Sequence, residues 1–435
     1  MAIASRLARA RSPVENSIMS SSISVTASNW EVYPNSCWSF QHIQELFPTC
    51  RLAGDPSATL LLPAAPQDVM PLSFTGAHGQ RTSISEFLSS TSCDAFLVVH
   101  HGHVVAEHYF NGMTAGSHHL LYSVTKSFVG MLAGIAVERG QLVPSSLLTQ
   151  YLPELDTVAW RGTTVRHLLD MTAAVKYAEN YADPETDFWK EAAVVGWRPA
   201  LVNDKTPRSL LDYARSLDGQ DMENGSSFQY RTVCANVIGM VLERAMGARL
   251  ATLLETEIWS RLSVQHDASI VVDRSGFPYV GAGMSACARD LALFGIMMIN
   301  GGVLNGRQVI PAAWIADTVK GDKTSKECFA KGAYGDDAPG WHFRNQIWVA
   351  SSDPAVMFTI GIHGQYVYLD QGHDLVVVML SSQPQPMDPS LDLDTMAAMH
   401  ALGPALAAIA RTDDGRRHRS DPGTEAQVTR LPDCR

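Results

Sequence analysis

The sequence predicts an α+β fold: an antiparallel sheet assembled from both ends of the chain, flanked by helices, with an all-helical region inserted between its halves. Three observations lead there. Residues 95–110 read as a β-hairpin turning near Gly102. Helical periodicity recurs at about 163–173, 206–217, 232–246 and 248–262. β-rich runs return at 346–350, 356–360, 366–370 and 375–380, and their short links favour antiparallel neighbours.

Taken in order, residues 1–28 read as a flexible tail. They are rich in Arg and Ser and poor in acids, faintly like a transit peptide, and lack the continuous apolar core of a secretory signal. After the hairpin, the run from Phe128 to Val137 carries apolar residues at helical spacing and stops near Gly140. The inserted helical region spans about 141–280. A last helix, rich in Ala, Leu and Met, covers about 393–411. Residues 412–435 are charged, lack apolar periodicity and read as a second flexible tail. One domain over 29–411 accounts for the whole pattern, and the chain has no internal repeat.

Composition excludes several functions. With 46% hydrophobic and 18% charged residues, 435 residues can bury a large core. A formal net charge of −11 argues against nucleic acid as the main partner. No apolar run reaches the roughly 18 residues a bilayer crossing needs. The seven cysteines are scattered and form no C-x-x-C pair, which indicates neither a disulfide framework nor a zinc ribbon. Free thiols fit a reducing, cytoplasmic setting. The sequon at Asn224 reads as a turn. His100, His101 and His103 lack a metal-ligand pattern and read as solvent-facing strand and turn histidines.

The chemistry concentrates at Ser123-Val-Thr-Lys126. Positions i and i+3 share a helix face, so Lys126 stands beside the Ser123 hydroxyl. A serine at a helix start is also an ordinary N-cap, yet no other lysine in the chain has a serine three residues before it. A serine nucleophile needs a base, an oxyanion site and a proton path to the leaving group. Lys126 serves as base only if burial or a neighbouring cation lowers its pKa. Tyr230, at the entrance of the 232–246 helix, is the candidate relay; a lone tyrosine can equally be a packed residue with a satisfied hydroxyl. Phe188, Trp189 and Trp197 are either pocket lining or core.

Ser123-x-x-Lys126, Phe228-Gln-Tyr230 and Thr359-Ile-Gly-Ile-His-Gly-Gln365, in this order, resemble the penicillin-recognising serine hydrolases. Within them the likeness is to class C β-lactamase-like esterases and 6-aminohexanoate-dimer hydrolases, and runs from about Asn35 to Arg411. The resemblance implies the β-lactamase/transpeptidase-like fold, with Ser123 as the acylated nucleophile and Lys126 and Tyr230 as coupled base and acid. It implies an oxyanion hole of the Ser123 and Ile362 N–H groups, and Tyr181, in Glu179-Asn-Tyr-Ala-Asp-Pro184, as a contact to the scissile amide. Gly361 and His363 are carried over as substrate-binding positions.

Two departures bear on substrate. Thr359-Ile360-Gly361 stands where Lys-Thr-Gly or His-x-Gly is usual, with His363 displaced by two; Tyr230-Arg-Thr replaces Tyr-x-Asn, with Asn236 further along the helix. The expectation is a serine hydrolase of carboxylic esters or linear amides, requiring no metal or organic cofactor. A small molecule is the expected partner, without nucleic acid or membrane, and a homodimer is left open. The alternatives are a D-alanyl-D-alanine carboxypeptidase or β-lactamase, an acyltransferase, and a silent binding scaffold. The absence of a G-x-S-x-G elbow argues against an α/β-hydrolase.

Overall fold

The computed structural model describes residues 24–198 and 207–417; most of both expected tails lies outside them. In chain order the strands of its two larger sheets are β1 (Thr49–Leu52), β2 (Cys93–His100), β3 (His103–Tyr109), β4 (His119–Leu120), β5 (Ala268–Val271), β6 (Met284–Ala286), β7 (His342–Arg344), β8 (Ile347–Ser352), β9 (Ala355–Gly361), β10 (Gln365–Asp370) and β11 (Leu375–Ser381). The main sheet has seven strands in the order β7-β8-β9-β10-β11-β2-β3, all antiparallel. Its N-terminal hairpin joins the C-terminal strands through β11 and β2, with Val377 opposite Val98. The expected sheet built from both ends of the chain is therefore present.

Alternating side chains of this sheet serve two different cores. Leu97, Val99, Val376 and Val378 face one core, together with the helices α1 (Thr125–Glu138) and α4 (Ala288–Ile299); α2 (Asp187–Val194) and α3 (Thr232–Met246) pack there too. Phe96, Val98, Val377 and Met379 face the other, with Ala398, Met399 and Leu402 of the final helix α5 (Pro389–Arg417). Burial on both faces is why β2 and β11 read as unbroken apolar runs. Helix α3 stops at Gly247, whose φ of 68° is the left-handed cap that a residue with a Cβ adopts reluctantly.

Three expectations change. The inserted region is not wholly helical, because its last part supplies β5 to a second sheet ordered β1-β5-β6-β4. Helix α5 starts before residue 393 and continues through Arg417, into the segment expected to be a tail. His100 is buried rather than solvent-facing. Among the described residues, no helix is long and apolar enough to cross a membrane.

Candidate active site

Ser123 lies in the 3₁₀ turn Tyr122–Val124 that feeds directly into α1. Tyr122 carries a φ of 46°, a left-handed conformation that costs a non-glycine residue energy and persists only where its surroundings enforce it. Those surroundings are visible. Leu121 N donates to Met284 O at 2.8 Å, and Thr125 Oγ1 donates to Tyr122 O at 2.6 Å while accepting from Met284 N at 3.1 Å. The buried Tyr122 phenol donates to Glu31 at 3.1 Å. Strand β6 and Glu31 thus hold the turn that presents the hydroxyl.

Lys126 falls in the first turn of α1 and is almost entirely buried. Its Nζ lies 2.7 Å from Ser123 Oγ and 2.6 Å from Gly281 O. Burial pulls the ammonium pKa down to about 8, against the opposing pull of Glu179 and Glu191. Desolvation wins. A lysine lowered this far can serve as a base near neutral pH.

Tyr230 reaches the same place from the segment before α3. Lys126 Nζ sits 5.0 Å from the centre of its ring, and Ser123 is close enough to influence the phenol's titration. Burial and the Glu179 charge raise the Tyr230 pKa far above that of a free tyrosine, outweighing the influence of Ser123. A phenol held protonated can relay a proton but is a poor base. The ring stacks on Trp348 at 5.6 Å, and Tyr334 meets Trp348 edge-on at 5.2 Å. These aromatics fix the phenol and make one wall of the site.

Strand β9 ends beside the nucleophile. A Cβ at Gly361 would lie 2.4 Å from Leu121 O and 3.1 Å from Ser123 N, so only glycine lets the strand approach this closely. Ile362 follows at once, buried, in a loop held by Gln365. The Gln365 Nε2 donates to Ile362 O at 3.2 Å, His363 O at 3.0 Å and Ser381 O at 2.7 Å. The arrangement brings the backbone at 361–362 alongside the Ser123 amide.

The other predicted residues divide. Tyr181 is half-buried; its hydroxyl donates to Glu179 at 2.6 Å and its ring meets Phe188 edge-on at 4.9 Å. His363 does not join the substrate-facing set. Its ring is buried against Phe40 and Tyr122, with Nδ1 2.6 Å from Gln383 O and Nε2 3.8 Å from Glu31. A φ of 61° turns it under the nucleophile turn instead of into the cleft. Phe188, Trp189 and Trp197 are buried core residues.

Sequence reasoning passed over Glu179, Glu191 and Gly281. Glu179 accepts from Thr232 N at 2.6 Å and Thr232 Oγ1 at 2.7 Å as well as from Tyr181. Thr232, standing where an asparagine side chain is usual, is therefore committed to Glu179. The quoted Glu179-Asn-Tyr181 stretch contained this signal, since an acid two residues from a candidate tyrosine invites pairing. Among the described residues, His266, Cys287 and Asp290 have donor atoms within 4.8 Å of one another. Asp290 already accepts from Gln265 N at 2.7 Å and His266 N at 3.2 Å, and burial keeps the Cys287 thiol protonated. His266 Nδ1 lies 3.5 Å from the Asp290 carboxylate, and the group reads as a structural corner built on Asp290.

Comparison with known proteins identifies the family. The family model described as Beta-lactamase matches residues 82–401. The chain is 32% identical over 361 residues to the 6-aminohexanoate-dimer hydrolase of Paenarthrobacter ureafaciens, covering 83% of this chain and 89% of that protein. A solved structure from Bacillus anthracis, provisionally named a 6-aminohexanoate-dimer hydrolase, superposes with a TM-score of 0.81 at 24% identity, over 89% of this chain and 98% of that one. EstCE1, a hydrolase with promiscuous acyltransferase activity, gives a TM-score of 0.57 at 17% identity, over 72% of this chain and 96% of its own. With the match extending over most of its length, the chain belongs to the β-lactamase family of serine hydrolases.

Proposed function

We propose that this enzyme cleaves a small carboxylic ester or linear amide through an acyl-enzyme on Ser123. The observation that carries the proposal is the 2.7 Å contact between the buried Lys126 amine, its pKa lowered by that burial, and the Ser123 hydroxyl. Ser123 Oγ attacks the carbonyl carbon while the Lys126 amine takes its proton. The N–H groups of Ser123 and Ile362 hold the oxyanion, a role worth several kcal/mol where donors are preorganised. Tyr230 passes the proton to the departing alcohol or amine, and Tyr181 contacts the scissile group. Water then attacks the acyl-enzyme, with the same base taking its proton.

Substrate class follows from what surrounds the nucleophile. The aromatic wall of Tyr230, Trp348 and Tyr334 suits an unbranched or aromatic chain. A penicillin carboxylate wants a cation near β9, and His363 is buried away from that side. Turnover of p-nitrophenyl esters of increasing length and of 6-aminohexanoate dimer, with nitrocefin inert, is the expected pattern. Rapid nitrocefin hydrolysis with no ester cleavage would reverse the substrate assignment.

The pH dependence has a definite sign. The base works only when neutral, and Lys126 gives up its proton as pH rises through about 8. For an ester substrate, kcat/KM is expected to climb about tenfold per unit below that midpoint and to flatten above it. A profile already flat from pH 6 would remove Lys126 from the role.

A further inference from the structure

Lys126 makes two hydrogen bonds, and only one of them goes to the nucleophile. The other goes to Gly281 O at 2.6 Å. A neutral amine has one lone pair and two N–H bonds. To accept the serine proton it must turn its lone pair to Ser123 and anchor an N–H elsewhere. The position of the Gly281 carbonyl therefore decides which side of the amine faces the hydroxyl. The residue that carries it is anchored on its other side, through its own N–H. Gly281 N donates to Asn236 Oδ1 at 2.8 Å, and Asn236 Nδ2 donates to Glu191 Oε1 at 2.7 Å. The other oxygen of Glu191 accepts from the Tyr177 hydroxyl at 2.5 Å. Glu191 is 0% exposed and Asn236 1%.

We propose that Asn236 and Glu191 are positioning residues for the base, anchoring Gly281 through its N–H so that its carbonyl, on the next peptide unit, is fixed and Lys126 points its lone pair at Ser123. The inference rests on the proposed role of Ser123 and Lys126. The packing supports a clamp. A Cβ at Gly281 would lie 2.5 Å from Thr232 Cγ2 and 3.0 Å from Asn236 Nδ2, so the peptide is seated against α3 with no room to shift. The electrostatics give the clamp a second effect. Burial raises the Glu191 pKa to about 7, and its carboxylate faces Lys126 and Glu179, with Tyr177, Tyr213, Tyr279 and Cys234 around it. Where it is ionised, it favours the charged ammonium. A buried carboxylate is costly unless bonded, and this one is fully occupied by residues leading to the base.

Two variants of the full-length enzyme test it, after wild type is shown to be labelled at Ser123 by a fluorophosphonate. Asn236→Leu keeps the volume and removes both bonds; kcat for a p-nitrophenyl ester is expected to fall by about tenfold or more with KM within about twofold, as misplacement of a catalytic group predicts. Glu191→Gln keeps the shape and an acceptor for Asn236 but removes the charge. The acid limb of its kcat/KM profile is expected to move to lower pH by roughly half a unit or more. A merely structural role would lower the melting temperature and leave the midpoint unmoved. Folded Asn236→Leu showing the wild-type kcat, or acting through KM alone, overturns the clamp, and a Glu191→Gln midpoint unmoved from wild type overturns the electrostatic part. Should Asn236→Leu fail to fold, Asn236→Ala, smaller and equally unable to bond Gly281 N, is read by the same kcat criterion. Absence of label on wild type would instead defeat the underlying assignment of Ser123.

Discussion

Lys126→Met is expected to lower kcat/KM for a p-nitrophenyl ester by about 10³–10⁴-fold, the upper range for loss of a general base. Methionine nearly matches the lysine stem, so the apolar contacts in α1 are kept and the loss isolates the amine. The change leaves Gly281 O without its partner, a penalty of about 1–3 kcal/mol. That cost shifts thermal unfolding by a few degrees without preventing folding. Residual activity should also lose its rise through about pH 8, because the group that titrates there is gone. A loss under tenfold, or a retained acid limb, would mean that another group takes the serine proton.

Gly361→Ala is the second large effect. The constraint is space and not backbone angle, since Gly361 is absent from the positive-φ positions among the described residues. Its added methyl meets a backbone carbonyl, Leu121 O, at 2.4 Å, and no flexible side chain can yield there. Strand β9 must retreat from the nucleophile turn, carrying the Ile362 amide with it. A decrease in kcat of about 10²–10³-fold, the range for removing one oxyanion donor, is expected with a much smaller change in KM. Steady-state kinetics on the folded variant checks it. A kcat within about threefold of wild type would show that this edge of β9 lies outside the oxyanion site.

The two sets of residues were not equally legible. The hairpin at 93–109 and the strands from 347 to 381 announced themselves, because runs of Val, Ile, Tyr and Phe are bounded by turn residues. The four-stranded sheet did not. Its strands β4, β5 and β6 are two to four residues long and wholly buried, so they show neither alternation nor length. Helix α4 gave no periodic signal either; it is buried almost all round and lacks an amphipathic stripe. At the site, Ser123 and Lys126 are separated by a local spacing that a helix converts directly into contact. Glu191, Asn236 and Gly281 come together only through packing of α2, α3 and the loop before β6, which no local pattern encodes. His363 misled for a related reason: a histidine close to a motif glycine suggests a ligand, whereas its left-handed backbone buries the ring beneath Tyr122.

In the proposed mechanism one buried lysine makes Ser123 the acylated nucleophile. The most direct measurement treats wild type, Ser123→Ala and Lys126→Met with a fluorophosphonate and reads intact mass and the modified peptide. One adduct per chain on the peptide containing Ser123 in wild type, none in Ser123→Ala and labelling slowed by about 10³-fold in Lys126→Met is the expected result. Equal labelling of wild type and Ser123→Ala, or an adduct on any other residue, would contradict it.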